Sequence, residues 1–349
     1  MKADAVSTLS GQEIMRTAMA RNQTRMADTL KEFSTGRHAD VGRTLGSKTG
    51  AVLDMRNLIS DLTSLTSTNG IVSGRLDGAQ SALDGVRKLA TNFIDTAISV
   101  RQSGAEPALL AADAKSRLGS MFQMLSVTSN GTYVFSGTNS AVAPLDDYLA
   151  EPAGPGRSAV IAAFTTEFGF PPDDPQVSTI TPAQFTAYLD GPFAALFEDP
   201  SWGTTFSTAT DGVMRDRISN SEEIDSSASA NDSGIRKLFY AMSLAIDGGA
   251  ENMSADTRAV LSTRLVETTN SAVYDIVRQQ SEIGMGQERL TQANERISIE
   301  QQALERRVSG AEEVDPYEVA ERLGMMMSRI EASYSVTARL QKLSLMNYL

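Results

Sequence analysis

Few side chains in this 349-residue sequence could carry chemistry. His38, in the stretch STGRHADVG, is the only histidine, so a His-based triad would have to use it and a multi-histidine zinc site is impossible. It reads as an exposed loop residue. There is no cysteine, which removes disulfides, thiolate metal sites and a cysteine nucleophile. The carboxylates fall in adjacent pairs: Asp146 with Asp147, Asp173 with Asp174, Glu222 with Glu223. A divalent-cation site needs several converging oxygens, and neighbours in a loop read as solvated surface. No GxSxG, HExxH, phosphate-loop or dinucleotide fingerprint occurs. Trp202 and the phenylalanines around it read as core. A ligand platform at Trp202, presented on a stalk for sugar or host binding, is the alternative. The expectation is therefore a chain that is not an enzyme and holds no cofactor or metal.

Charge and composition divide the chain. Residues 141–235 hold 15 acidic and 3 basic residues, while the rest balances at 28 of each, so the whole net charge of −12 belongs to one segment. Such a surface disfavours nucleic acid and anionic membranes. Nine of the eleven prolines lie from Pro144 to Pro200, and seven of the twelve phenylalanines from Phe164 to Phe206. Proline breaks helices and suits turns, so this segment predicts a compact, loop-rich β or α+β insert. The stretch SSASANDSG, 226–234, reads as its exit linker. The N-terminus has one lysine and no apolar core, so it does not read as a cleavable signal. No apolar run reaches the length of a membrane span.

Both flanks are helical. Ala51, Met55, Leu58, Leu62, Leu65, Asn69, Val72, Leu76, Ala79, Leu83, Val86, Ala90, Phe93, Ala97 and Val100 alternate spacings of four and three. That is a coiled-coil seam, and fifty residues would make a helix of about 75 Å. Ile276, Ile283, Leu290, Ile297 and Leu304 repeat every seventh residue far downstream. The interleaved Gln280, Gln287, Asn294 and Gln301 fit register-setting polar seam positions. Alternatively they face solvent, and Ala272, Gly286 and Ala293 complete the seam. Both readings stand at this point.

A helix over about 107–129 ends at Asn130-Gly131. YVFSGTNS, 133–140, follows as a strand through Tyr133 and Phe135 with a turn at Gly137-Thr138-Asn139. A short helix lies outside each long one. The first carries Met15, Met19, Met26, Leu30 and Phe33. The last opens on Asp315 as cap, Pro316 at the first position and Glu318 closing a capping box. It then carries Val319, Leu323, Met327, Ile330, Tyr334 and Thr337, with Leu340, Leu345 and Leu349 beyond. Neither short helix can bury all of that stripe against the other, and short helices are marginal without packing. Completion by neighbouring copies of the chain is expected; an ordinary intramolecular hairpin is the alternative. The fold class is mainly α. A long antiparallel coiled-coil-like rod is built from the N- and C-terminal segments, with a β or α+β domain inserted at its tip. The segments are 1–45 with 309–349, 46–140 with 235–308, and 141–234.

Tyr133, Phe135, Ser136, Gly137 and Thr138 are similar to the Tyr-aliphatic-Phe-Ser-Gly-Thr motif of the flagellin superfamily. LKEFSTGRHADVG, 30–42, resembles a conserved loop of that family, with Ser34, Gly36 and Arg37 matching; GRTLGSKTG replaces the Asp-Asp-Pro usual there. The ending EASYSVTARLQKLSLMNYL resembles the hook–filament junction branch, hook-associated protein 3, more than filament flagellins. The resemblance covers about 5–140 and 235–349. It implies a secreted structural protein of the flagellum, exported through the type III apparatus without a cleaved signal. It also implies an export chaperone at the C-terminal helix, an inner tube of terminal helices and an outward insert. The implied partners are other copies, a neighbouring hook-associated junction protein, and filament flagellin or the first filament-side protein. A filament-forming flagellin is the runner-up.

Overall fold

The computed structural model describes the backbone of residues 2–103 and 107–346, and the side chains of 13–102 and 107–339. The helices are α1 (Lys2–Thr35), α2 (Val41–Leu45), α3 (Thr49–Ser103), α4 (Pro107–Leu125), α5 (Pro155–Phe168), α6 (Pro182–Asp190), α7 (Ser201–Thr205), α8 (Ser233–Asp247), α9 (Ala255–Glu312) and α10 (Pro316–Met346). Two small antiparallel hairpins are β1 (Thr128–Ser129) with β2 (Thr132–Tyr133), and β3 (Arg215–Ser219) with β4 (Glu222–Asp225). The chain is thus mainly α, with long helices from its N- and C-terminal segments and an α+β segment between them in sequence. It divides into two compact units, Met1–Thr63 with Ser298–Leu349, and Ser64–Ile297.

In the second unit, α3 and α9 lie antiparallel along an apolar seam. Val72, Leu76, Leu83, Val86 and Phe93 are buried on one side, Ile276, Ile283, Leu290 and Ile297 on the other. Ala272 and Ala293 are fully buried, so the small residues complete the seam. The amides flank it half-buried and reach across. Asn69 Nδ2 donates to Asn294 Oδ1 at 2.7 Å, and Gln287 Nε2 to Asp77 Oδ1 at 2.7 Å. Gly70, Gly74, Gly78 and Gly85, interior to α3, weaken its intrinsic helicity by up to ~1 kcal/mol each. This seam offsets that.

α8 has no counterpart among the helices expected from the sequence. Ile235, Leu238, Phe239, Ala241, Met242 and Leu244 are all buried, and so are Tyr240, Ser243 and Asp247 on the more polar side, so the helix is enclosed nearly all round. It packs on α4, whose Leu110, Ala114, Leu118, Met121 and Leu125 form a stripe. Against α8 also sits an aromatic core of Phe164, Tyr188, Phe193, Phe197, Trp202 and Phe206. Trp202 meets Phe239 edge-on at 5.5 Å and donates its indole N–H to Asn231 Oδ1 at 2.7 Å. Prolines in this segment open helices rather than strands: Pro155 begins α5, and Pro182 begins α6 behind a capping box of Thr181 and Gln184.

The exit stretch 226–234 is not a free linker. Ser226, Ser227, Ala228, Ser229 and Ala230 are buried. Their backbone groups are taken up by pairing with 134–137 and with Met214. α4 stops at Leu125 rather than at Asn130-Gly131, which instead form the turn joining β1 to β2.

Candidate functional site

The terminal helices form the first unit. α1 and α10 run antiparallel, and their seam is polar and sulfur-rich. Thr29 Oγ1 donates to Met326 Sδ at 3.5 Å, Thr337 Oγ1 to Met15 Sδ at 3.9 Å, and Gln23 Nε2 to Tyr334 Oη at 3.3 Å. Arg322 pairs with Glu32 at 3.1 Å. Among the described residues of the pair only Thr29, Val319 and Ile330 are buried; Met15, Met19, Met26 and Leu323 are half-buried.

The expected stripes therefore mix two faces. Leu30, Phe33, Met327 and Tyr334 point largely outward, Phe33 at 54% and Tyr334 at 52% exposure, together with Ile14, Met325 and Val336. A 4–3 seam takes one of each adjacent pair. Here it takes Thr29 and Met326, which satisfy each other, and leaves Leu30 and Met327 on the flank. The side chains of Leu340 and Leu345, and all of Leu349, lie outside the described residues.

The base of this pair is fastened by a buried carboxylate. Glu312, 1% exposed, accepts from Arg56 at 2.5 Å and lies 3.6 Å from Arg37. Its carbonyl accepts from the His38 N–H at 3.0 Å, and Val314 N–H donates to the Gly36 carbonyl at 3.0 Å. Gly36 has φ +68, a region glycine enters without penalty. His38 is half-buried rather than exposed, its Nδ1 3.9 Å from Glu32 Oε1. Asp315 caps α10 by accepting from the Tyr317 N–H at 2.8 Å, while Glu318 turns to Arg322 rather than closing a capping box. Along the helices above, Leu304 is buried, and Gln301 Nε2 donates to Thr63 Oγ1 at 3.1 Å. At the start of α3 it is Val52, not Ala51, that is buried; Leu65, in the second unit, is half-buried.

The stretch at 133–138 is a knot in the second unit. Only Thr132–Tyr133 is strand. Val134, Phe135 and Ser136 are all buried, without alternation, because the chain is enclosed on both sides. Val134 N–H donates to the Val127 carbonyl, Ala228 N–H to Val134, and Ala230 N–H to Phe135. Gly137 has φ +62, and a Cβ there would stand 2.5 Å from the Gly212 carbonyl oxygen and against that of Thr210. Thr138, exposed, accepts or donates at Thr210 Oγ1, 2.8 Å away.

The carboxylate pairs act as caps and clamps. Asp147 accepts from the Leu149 N–H and Asp174 from the Gln176 N–H. Glu222 pairs with Arg289 and Arg296 at 2.9 Å each, which with Arg75–Asp216 ties the β3–β4 hairpin down. Among the described residues no group of His, Asp or Glu could hold a metal ion. At the start of α8, burial holds the Asp232 carboxyl above its usual range. Burial also pushes Asp275 upward, but hydrogen bonds from Lys237 and Ser233 reverse this and leave it below. Burial likewise raises the Tyr148 phenol well above its ordinary value, and Tyr148 donates to Asp247, which a bidentate Arg157 also holds. The arginines and lysine lining the cleft beside Tyr240 are each engaged: Arg236 with Asp199, Lys237 with Asp275, Arg264 with Asp190. Trp202 is fully buried and offers no open platform.

What this arrangement offers is surface. Among the described residues no helix is long and apolar enough to cross a membrane. Residues 6–140 match the model of the bacterial flagellin N-terminal helical region, and 266–349 that of the C-terminal helical region. A solved protein from Vibrio parahaemolyticus, assigned as flagellar hook-associated, aligns with 76% of this chain and 97% of its own. It does so at 11% identity and a TM-score of 0.52, a likeness of fold. FlgL from Bacillus cereus aligns over 74% and 98%, at 13% identity and 0.37. No curated protein matches the chain in sequence.

Proposed function

Since the chain belongs to the bacterial flagellin family, and is thus a structural component of the flagellum rather than an enzyme, we propose that it is an adaptor joining hook to filament. The observation that carries this is the pair of outward apolar faces on α1 and α10. Leu30, Phe33, Met327 and Tyr334 are exposed along helices whose own seam buries little. Covering them with equivalent faces of neighbouring copies supplies the apolar burial that the isolated pair lacks, at about 25 cal/mol per Å².

In this reading 1–45 with 309–349 form the inner tube, 46–140 with 235–308 the surrounding helical layer, and the acidic segment 141–234 faces outward. Methionines suit an adaptor, because a flexible thioether repacks against partners of differing shape. Subunits of the hook-side junction protein lie below, and filament flagellin or the first filament-side protein above. A chaperone holds the C-terminal helix before type III export, keeping its apolar face from aggregating.

Immunogold electron microscopy of intact flagella, with antibody against 141–234, tests the position. A narrow band at the hook–filament boundary is expected. Label along the whole filament would make the chain a filament-forming flagellin instead.

A further inference from the structure

With no cysteine in the chain, thioethers are its only sulfur, and seven of its fifteen methionines lie in α1 and α10. Met325, Met326 and Met327 are consecutive there. Successive helical residues project about 100° apart, so only one of three can enter a seam. Met326 does so, its sulfur accepting from Thr29 at 3.5 Å. Met325 and Met327 stand to either side, 49% and 45% exposed. A thioether reacts with a hydroperoxide when the sulfur is reachable, and the product is polar.

We propose that Met325 and Met327 are sites of reversible oxidation in the unassembled chain, and that their sulfoxides prevent its incorporation. A sulfur lone pair attacks the terminal peroxide oxygen; the O–O bond breaks, an S–O bond forms, and the proton of the transferred oxygen passes to the departing oxygen, which leaves as water or an alcohol. Sulfur loses two electrons and the peroxide gains them. The helix pair survives, because the seam sulfurs of Met15 and Met326 are half-buried and hydrogen-bonded to threonine. What changes is the outward face, where a polar S=O replaces a soft apolar surface. Burial against a neighbour then shields the same sulfurs, so sensitivity is confined to the chain before assembly. This second half rests on the assembly reading above.

The test treats purified full-length chain with hydrogen peroxide, maps sulfoxides by peptide mass spectrometry, and measures incorporation onto isolated flagellar fragments by pelleting. Met285, 61% exposed on α9, reports the dose. Oxygen uptake at Met325 and Met327 is expected at the rate of Met285 and ahead of Met15 and Met26. Incorporation should be lost with it and recovered after methionine sulfoxide reductase. The Met325→Leu, Met327→Leu chain should keep incorporating at the same dose. Uptake no faster than at Met26 overturns the modification itself, whatever the assembly result. Equal loss in the leucine variant overturns its consequence. Failure of the untreated chain to incorporate overturns the assembly reading and this consequence with it, while leaving the sulfoxide map to be judged alone.

Discussion

At Gly137 a hydrogen in place of a methyl group decides whether two pieces of chain can pass. Its φ of +62 and the carbonyls of Thr210 and Gly212 leave no room for a Cβ. Gly137→Ala should therefore cost on the order of 3 kcal/mol, from backbone strain and overpacking together, read as a lowered urea midpoint. A midpoint within error of the parent would show that the knot relaxes freely. Asp275 and Asp232 titrate in opposite senses at the start of α8. Asp275, held below its usual value, contributes stability above pH 3.8 that is lost as pH falls through its folded value. Asp232, held above, favours the fold below pH 3.8, and that contribution is lost as pH rises through its raised value. Asp275→Asn should therefore flatten the acid limb of the stability profile. Asp232→Asn keeps the cap and should leave stability at pH 7 equal or higher. Thermal melts from pH 2.5 to 7 check both signs.

Long helices announce themselves, and their flanks do not. The 4–3 spacing from Leu62 to Ala97 was legible because burial on one face leaves a repeating mark in the sequence. The seam beside α9 left two readings, since Asn294 and Ala293 are adjacent and either could turn inward. Volume decided it: a closely packed pair of helices accepts alanine in the centre and puts the amide at the edge, where it can still reach Asn69. Asn69 is itself fully buried, donating also to the Ile218 carbonyl at 3.0 Å. A double-mutant cycle of Asn69→Ala and Asn294→Ala should return a coupling of about 1 kcal/mol by urea denaturation; strict additivity would mean the bond contributes nothing. α8 does carry a helical period, with Arg236, Tyr240, Ser243 and Asp247 on one side and Ile235, Leu238, Phe239 and Met242 on the other. At 15 residues, however, it lies outside the long seven-residue repeats. Of the two readings of the insert, β or α+β, the second holds, since proline there opens short helices instead of edging strands. On α1 and α10 the sequence showed apolar richness but not which residues share a face, because Thr29 and Glu32 enter the seam through hydrogen bonds and charge that hydropathy does not record.

The molecule as a whole divides its apolar surface unevenly. Residues 64–297 enclose an aromatic and aliphatic core of ordinary depth, whereas α1 and α10 meet through a few polar and sulfur contacts and keep Phe33, Tyr334 and their neighbours outside. These helices, 34 and 31 residues long rather than short, draw most of their stability from tertiary packing, and the pair alone supplies little of it. The terminal pair is therefore only weakly held in the free chain and gains most of its stability on assembly. Hydrogen exchange read by mass spectrometry, on the same peptides in dilute monomer and in assembled material, tests this most directly. Amides of 13–35 and 316–339 should be weakly protected in the monomer, far less than those of α8, and strongly protected after assembly. Full protection of α1 and α10 in the dilute monomer would contradict this, and would make the terminal pair an ordinary intramolecular hairpin.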